Sequence, residues 1–217
     1  MMKVATRMES IPFSGIRKIF EEANRRQAAG EDIVHLEIGR PDFDTPTRIK
    51  EAAKRALDEG KVHYSSNYGV PELREAIARK LKVDNGLSYD PATEIIVTVG
   101  ANEAVFITML ALLNPGDEVL IPDPCWLHYF YCAQMAGAVP VSVPMREKSE
   151  FKPNIEDFRQ RITPKTRMMV INTPNNPTGA VYPIDVLEEL VTLAQEKDLL
   201  VLSDEIYEKM IYAGDHH

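Results

Sequence analysis

Four short stretches hold the residues able to do chemistry. Asp204 closes the apolar run Leu199-Leu200-Val201-Leu202. A carboxylate there is costly to bury unless something pairs with it. Either backbone amides of the following turn satisfy it, or it faces a protonated ring nitrogen and keeps a pyridinium charged as an electron sink. Tyr207, three positions on, returns to the same side if the chain turns helically. Gly100-Ala101-Asn102 leads from an apolar run straight into a helical pattern. Its small residues leave backbone amides open to an anion and the helix dipole adds attraction, so it is a phosphate site or merely a tight turn. Trp126, the one tryptophan, follows Pro124 and either packs or offers a flat face to an aromatic ligand. Outside the four stretches, Tyr64 and Tyr68 flank a Ser-Ser-Asn loop that reaches a phosphate oxygen or forms a surface turn.

The fourth stretch is MMVINTPNNPTGAVY, Met168 to Tyr182. Its apolar first half reads as a buried strand. The second half places Asn172, Pro174, Asn175, Asn176, Pro177 and Gly179 within eight positions. Each proline restricts itself and its predecessor, which predicts a pre-shaped loop.

The elements that must position these residues follow from periodicity and breakers. Residues 1–13 read as an arm, and Ser14 is a candidate cap for a helix to about Gln27. The short apolar run Ile33 to Leu36 leads into the loop GRPDFDTP. Helices are expected from Pro46 to about Glu59 with Thr45 as cap, and from Pro71 onward through Leu73, Ala76, Ile77 and Leu81. Further helices are expected at Asn102–Leu113, Leu127–Met135, Ile155–Arg161 and Pro183–Glu196. Strand-like runs cover Glu94–Val99, Glu118–Ile121, Val139–Val143, Met168–Ile171 and Leu199–Leu202. Five such runs between helices predict a three-layer α/β/α fold with a mostly parallel sheet. All four distinctive loops then follow strand carboxyl ends and share one sheet edge, where open α/β sheets bind ligands.

Bulk properties narrow the classes. The 217 residues are 44% hydrophobic and 27% charged, ordinary for a globular chain able to bury a core. A net charge of −8 without a basic block argues against nucleic acid. Cys125 and Cys132 form neither a disulfide framework nor a metal motif, so no metal is expected. No signal peptide or apolar span is evident, which predicts a reducing, cytoplasmic setting without membrane association. Neither the dinucleotide glycine pattern nor the P-loop pattern occurs, which weakens NAD and nucleoside triphosphates as ligands.

The segments GRPDFDTP, HYSSNYGVPELREAI, TVGANEAVF, PDPCW, NTPNNPTGAVY and SDEIYEKMIY, in that order, resemble the landmarks of the pyridoxal-phosphate-dependent aminotransferases of class I/II, fold type I, the aspartate aminotransferase class. The resemblance covers essentially the whole chain. It implies that Asp204 binds the pyridine nitrogen of pyridoxal 5'-phosphate, that Asn176 and Tyr207 bond its phenolic oxygen, and that Trp126 stacks on its ring. The amides of Ala101 and Asn102 would hold the phosphate, Tyr64 would reach the phosphate of a neighbouring subunit in a homodimer, and Gly39 would lie beside the substrate carboxylate. The implied reaction transfers an amino group between an L-amino acid and a 2-oxo acid. A lyase or synthase of the same fold, or a non-catalytic cofactor-binding fragment, is the alternative.

The resemblance further implies an arm and small-domain segment at 1–38 and the first part of the large domain at 39–217. The family's Schiff-base lysine would follow the SDEIY segment by a few tens of residues, beyond His217. Lys209 is too close to Asp204 to replace it. The 217 residues by themselves are therefore expected to hold a cofactor cradle without a catalytic residue, and to be marginal in stability.

Overall fold

The computed structural model describes residues 3–13, 15–39, 41, 43–213 and 215–216. The expected cap Ser14 lies outside them. The chain separates into two compact units, one of Met1–Ile11 with Thr98–His217 and one of Pro12–Val97.

The second unit holds α1 (Gly15–Ala28), α2 (Thr47–Asp58) and α3 (Pro71–Asp84). Each is amphipathic, yet none has a buried residue. Two expectations need correction here. Pro46 itself, not Thr45, is the residue before α2, and no side chain caps that helix end. Glu94–Val99 is not a strand: Val97 N–H donates to Tyr68 O at 3.0 Å, but no ladder forms. Strand propensity needs a paired neighbour to become a strand, and none of the described residues supplies one. That single bond is possible because Gly69, at φ +95°, lacks a side chain. A Cβ there would sit 2.6 Å from that of Val97.

The other unit carries the sheet. A short 3-10 segment at Thr6–Ser10 lies against the helix His128–Met135, so part of the expected arm is anchored. Then follow α4 (Gly100–Leu112), β1 (Glu118–Asp123), α5 (His128–Met135), β2 (Val139–Pro144), α6 (Ile155–Arg159), β3 (Thr166–Asn172), α7 (Ile184–Glu196) and β4 (Leu200–Asp204). All pairings are parallel and the order is β2-β1-β3-β4.

Alternation along the strands divides the core between two faces. Val119, Ile121, Met168 and Val170 pack with Val105 and Met109 of α4 and with Tyr129, Cys132 and Ala133 of α5. Leu120, Val143, Met169 and Ile171 pack with Phe158 of α6 and with Leu190, Leu193 and Ala194 of α7. This is the expected α/β/α layering, with β3 buried along nearly its whole length, as a central parallel strand should be. From β1 the chain goes first to β2 on one side, then to β3 on the other. The carboxyl ends of β1 and β3 therefore flank a point where the connections diverge, which opens a crevice at that edge.

Candidate functional site

The α4 entrance is built locally. Gly100 takes φ +75°, which lets the chain turn from an extended segment into the helix. Glu103 reaches back so that Val99 N–H donates to its Oε2 at 2.5 Å, and Thr98 Oγ1 donates to Gly100 O at 2.9 Å. The first of these resembles half of a capping box. The first-turn amides, including those of Ala101 and Asn102, have no intrahelical acceptor and point along the positive end of the dipole.

Across the crevice Asn172 and Asp204 end β3 and β4 in register. Asn172 is buried and acts as the hub: its Nδ2 donates to Asp204 O (3.0 Å) and Pro174 O (3.2 Å). Its Oδ1 accepts from Asn176 N–H at 2.9 Å. Asn175 fixes the rest of the loop, accepting from Thr178 Oγ1 at 2.8 Å and exchanging backbone bonds with Gly179 and Ala180. The peptide bonds before Pro124, Pro174 and Pro177 are cis.

Asp204 is 8% exposed. Its Oδ2 accepts from Tyr129 Oη at 2.6 Å and its Oδ1 from Ile206 N–H at 3.2 Å. The backbone-amide pairing anticipated for this carboxylate is thus present, but a buried tyrosine supplies the shorter bond. Burial, and then the Asp204 carboxylate, push the Tyr129 phenol far above its ordinary range, so it stays a donor. An ionised carboxylate has about four acceptor sites. Two are used, leaving capacity for a further strong donor.

These groups enclose a cavity of about 270 Å³ lined by Gly100, Ala101, Asn102, Trp126, Tyr129, Asn172, Asn176, Asp204, Ile206 and Tyr207. Six sequence-derived candidates, Ala101, Asn102, Trp126, Asn176, Asp204 and Tyr207, therefore meet at one place. Trp126 presents its ring with Tyr129 edge-on at 5.4 Å and 87°. Gly39 and Tyr64 belong to the other compact unit, where Tyr64 is fully exposed. Among the described residues no lysine lines the cavity.

Sequence reasoning passed over Tyr129, Asn172 and His128. Tyr129 pairs with a residue 75 positions away, which no local pattern reveals. Asn172 was legible only as a turn former, although its place at the end of an apolar strand was the signal. His128 stacks on Trp126 and contacts Asn102; burial lowers its pKa. Cys125, beside Trp126, is buried and its thiol is pushed up to about 12, first by burial and then by Asp123.

A helix start with open amides, a buried carboxylate and an aromatic side chain meet at the carboxyl edge of the parallel sheet in a three-layer α/β fold. The family model for aminotransferase class I and II matches residues 31–216, and the chain belongs to that family. It is 47% identical over 213 residues to an aromatic-amino-acid aminotransferase of Thermococcus litoralis, covering 98% of this chain and 54% of that protein. It is 47% identical over 216 residues to an aspartate aminotransferase of Pyrococcus abyssi, covering 100% and 54%. The solved aspartate aminotransferase of Thermus thermophilus with maleate superposes with a TM-score of 0.95 at 45% identity, covering 100% of this chain and 56% of that one. The chain thus spans about half the length of these relatives. All three are named as aminotransferases.

Proposed function

We propose that the protein is an aminotransferase that moves an amino group between an L-amino acid and a 2-oxo acid, using pyridoxal 5'-phosphate. The observation that carries this is the convergence of Ala101, Asn102, Trp126, Asn176, Asp204 and Tyr207 on one cavity. The residues fit the cofactor chemically. Free amides and a helix dipole suit its phosphate, and the spare acceptor capacity of Asp204 suits a protonated pyridine nitrogen. The cavity is near the lower size limit for small-ligand sites.

When bound, pyridoxal phosphate supplies a conjugated electron sink for the bonds at the amino acid's α-carbon. The chain's own groups have the following roles. The amides of Ala101 and Asn102 hold the phosphate. Trp126 covers one ring face and excludes water from it. Asp204 keeps a proton on the ring nitrogen, and Tyr129, by donating to Oδ2, holds that carboxylate in place. Asn176 and Tyr207 bond the phenolic oxygen. The binding that these residues supply is non-covalent.

Relatives of nearly equal identity are named for aromatic amino acids, for aspartate and for aspartate/prephenate, so the substrate reading stays at amino acid and 2-oxo acid. Gly39 is assigned beside the substrate carboxylate. Tyr64, exposed on its own unit, is assigned to the phosphate of a neighbouring subunit in a homodimer. The division into an arm with small-domain segment (1–38) and large-domain part (39–217) belongs to the same reading. So does a cytoplasmic location, supported by two free cysteines; among the described residues no helix is long and apolar enough to cross a membrane.

Titrating the protein with pyridoxal phosphate while following Trp126 fluorescence tests the cradle. Saturable quenching is expected, at least tenfold weaker for Asp204→Ala and also weaker for pyridoxal, which lacks the phosphate. Absence of saturable quenching in the wild type would end the proposal. Amino-donor screening with 2-oxoglutarate or pyruvate as acceptor tests the reaction.

A further inference from the structure

Trp126 and Asn102 belong to different parts of the fold, the loop after β1 and the first turn of α4. One side chain touches both. The imidazole of His128, the first residue of α5, lies parallel to the Trp126 indole at a centroid distance of 4.4 Å and an interplanar angle of 4°. Its Nδ1 is 2.9 Å from Asn102 Oδ1, a residue 26 positions away. In that arrangement Nδ1 carries the proton and donates to the amide oxygen.

Residues i and i+2 within a helix do not face each other; Trp126 lies ahead of α5 and is joined to it through Leu127, at φ −60° and ψ −17°. His128 does not line the cavity, whereas Trp126 and Asn102 both do. The imidazole therefore covers one face of the indole, and the indole still borders the cavity.

We infer that His128 is a positioning residue of the cofactor site: it fixes the plane of Trp126 and the side chain of Asn102 relative to one another, and so sets the spacing between the ring-stacking wall and the phosphate-binding helix start. The inference rests on the aminotransferase reading for its ligand, but the tie between the two walls exists without one. A histidine suits the task because one planar group supplies both a stacking face and a directed N–H. Phenylalanine retains only the first and glutamine only the second.

The test uses the full-length protein with His128→Ala, His128→Phe and His128→Gln. The near-UV circular dichroism of Trp126 is isolated by subtracting the spectrum of the matching Trp126→Phe protein, and pyridoxal phosphate affinity is measured by equilibrium dialysis. Loss of an aromatic pair and a hydrogen bond predicts about tenfold weaker binding for His128→Ala. Its Trp126 signal should fall by at least half. His128→Phe should keep the Trp126 signal while losing some affinity; His128→Gln should lose the signal. A Trp126 signal and an affinity both within twofold of wild type in His128→Ala would overturn the inference. Should His128→Ala fail to fold, a wild-type Trp126 signal in His128→Gln would overturn it equally. Failure of the wild type to bind pyridoxal phosphate would count against the aminotransferase reading, while the ligand-free Trp126 signal still judges His128.

Discussion

Replacing Tyr129 by phenylalanine removes one oxygen atom and probes the site's central bond. The Tyr129 ring is 1% exposed and its hydroxyl lies 2.6 Å from Asp204 Oδ2. Phenylalanine keeps the ring's packing against Trp126 and the α5 core, so the loss is confined to the hydrogen bond. A bond to a charged acceptor contributes about 1.5–3 kcal/mol net, which is roughly a tenfold to hundredfold change in the unfolding equilibrium. Urea unfolding followed by near-UV circular dichroism measures it, with Tyr131→Phe as a control expected to stay within about 0.5 kcal/mol of wild type. The pH dependence supplies a second reading. The folded state raises the Tyr129 phenol above its ordinary pKa, which is about 10. Its contribution to stability is therefore complete below about pH 10 and is lost as pH rises further, because only the unfolded chain then releases the proton. Tyr129→Phe should lack that part of the alkaline decline. A stability that stays within about 0.5 kcal/mol of wild type, the range of an inconsequential surface change, with the alkaline slope unchanged, would refute the pairing.

Gly100→Ala should cost about 1–2 kcal/mol, the penalty of a left-handed backbone for an L-residue. Gly100 holds φ +75°, and phosphate-dependent binding should weaken with the turn; a neutral effect in urea unfolding would show that the turn relaxes. The Arg146 guanidinium holds the half-buried Asp157 carboxyl below the usual range, against the opposing effect of burial. Stability from this pair is present above the ordinary carboxylate pKa and lost as pH falls through the lowered value, so Asp157→Asn should flatten the acid limb of a stability–pH curve. Cys125 should resist iodoacetamide at mildly alkaline pH in the native state and react on unfolding, since its buried thiol ionises only at about 12. Rapid native labelling at Cys125, located by peptide mass mapping, would contradict that.

The α/β alternation was legible because each apolar run of β1 to β4 has the length and breakers of a buried parallel strand. The candidate site was legible for a related reason: Trp126, Asn176 and Asp204 sit at or just past the ends of such runs, and Gly100 follows the apolar segment Ile95–Val99. What could not be read depends on partners distant in sequence. Ile95–Val99 is as apolar as β1, yet it remains outside the sheet because pairing, not propensity, makes a strand. Tyr129 reads as an ordinary aromatic of α5 until the fold carries it to Asp204. His128 has no signature beyond its proximity to Trp126, since the contact with Asn102 requires α4 and α5 to be neighbours.

The flush ending of β3 and β4, with Asn172 opposite Asp204, makes the site an all-or-nothing property of chain parity. Leu200 and Leu202 point into the same core face as Met168 and Val170, and Asp204 continues that row into the cavity. Inserting or deleting a single residue within β4 would turn Ser203 or Glu205 inward and Asp204 outward if the strand kept its pairing. Changes of two residues would restore the inward face. Viable length variants of this segment should therefore differ by even numbers, or place the extra residue in the turn before Leu200.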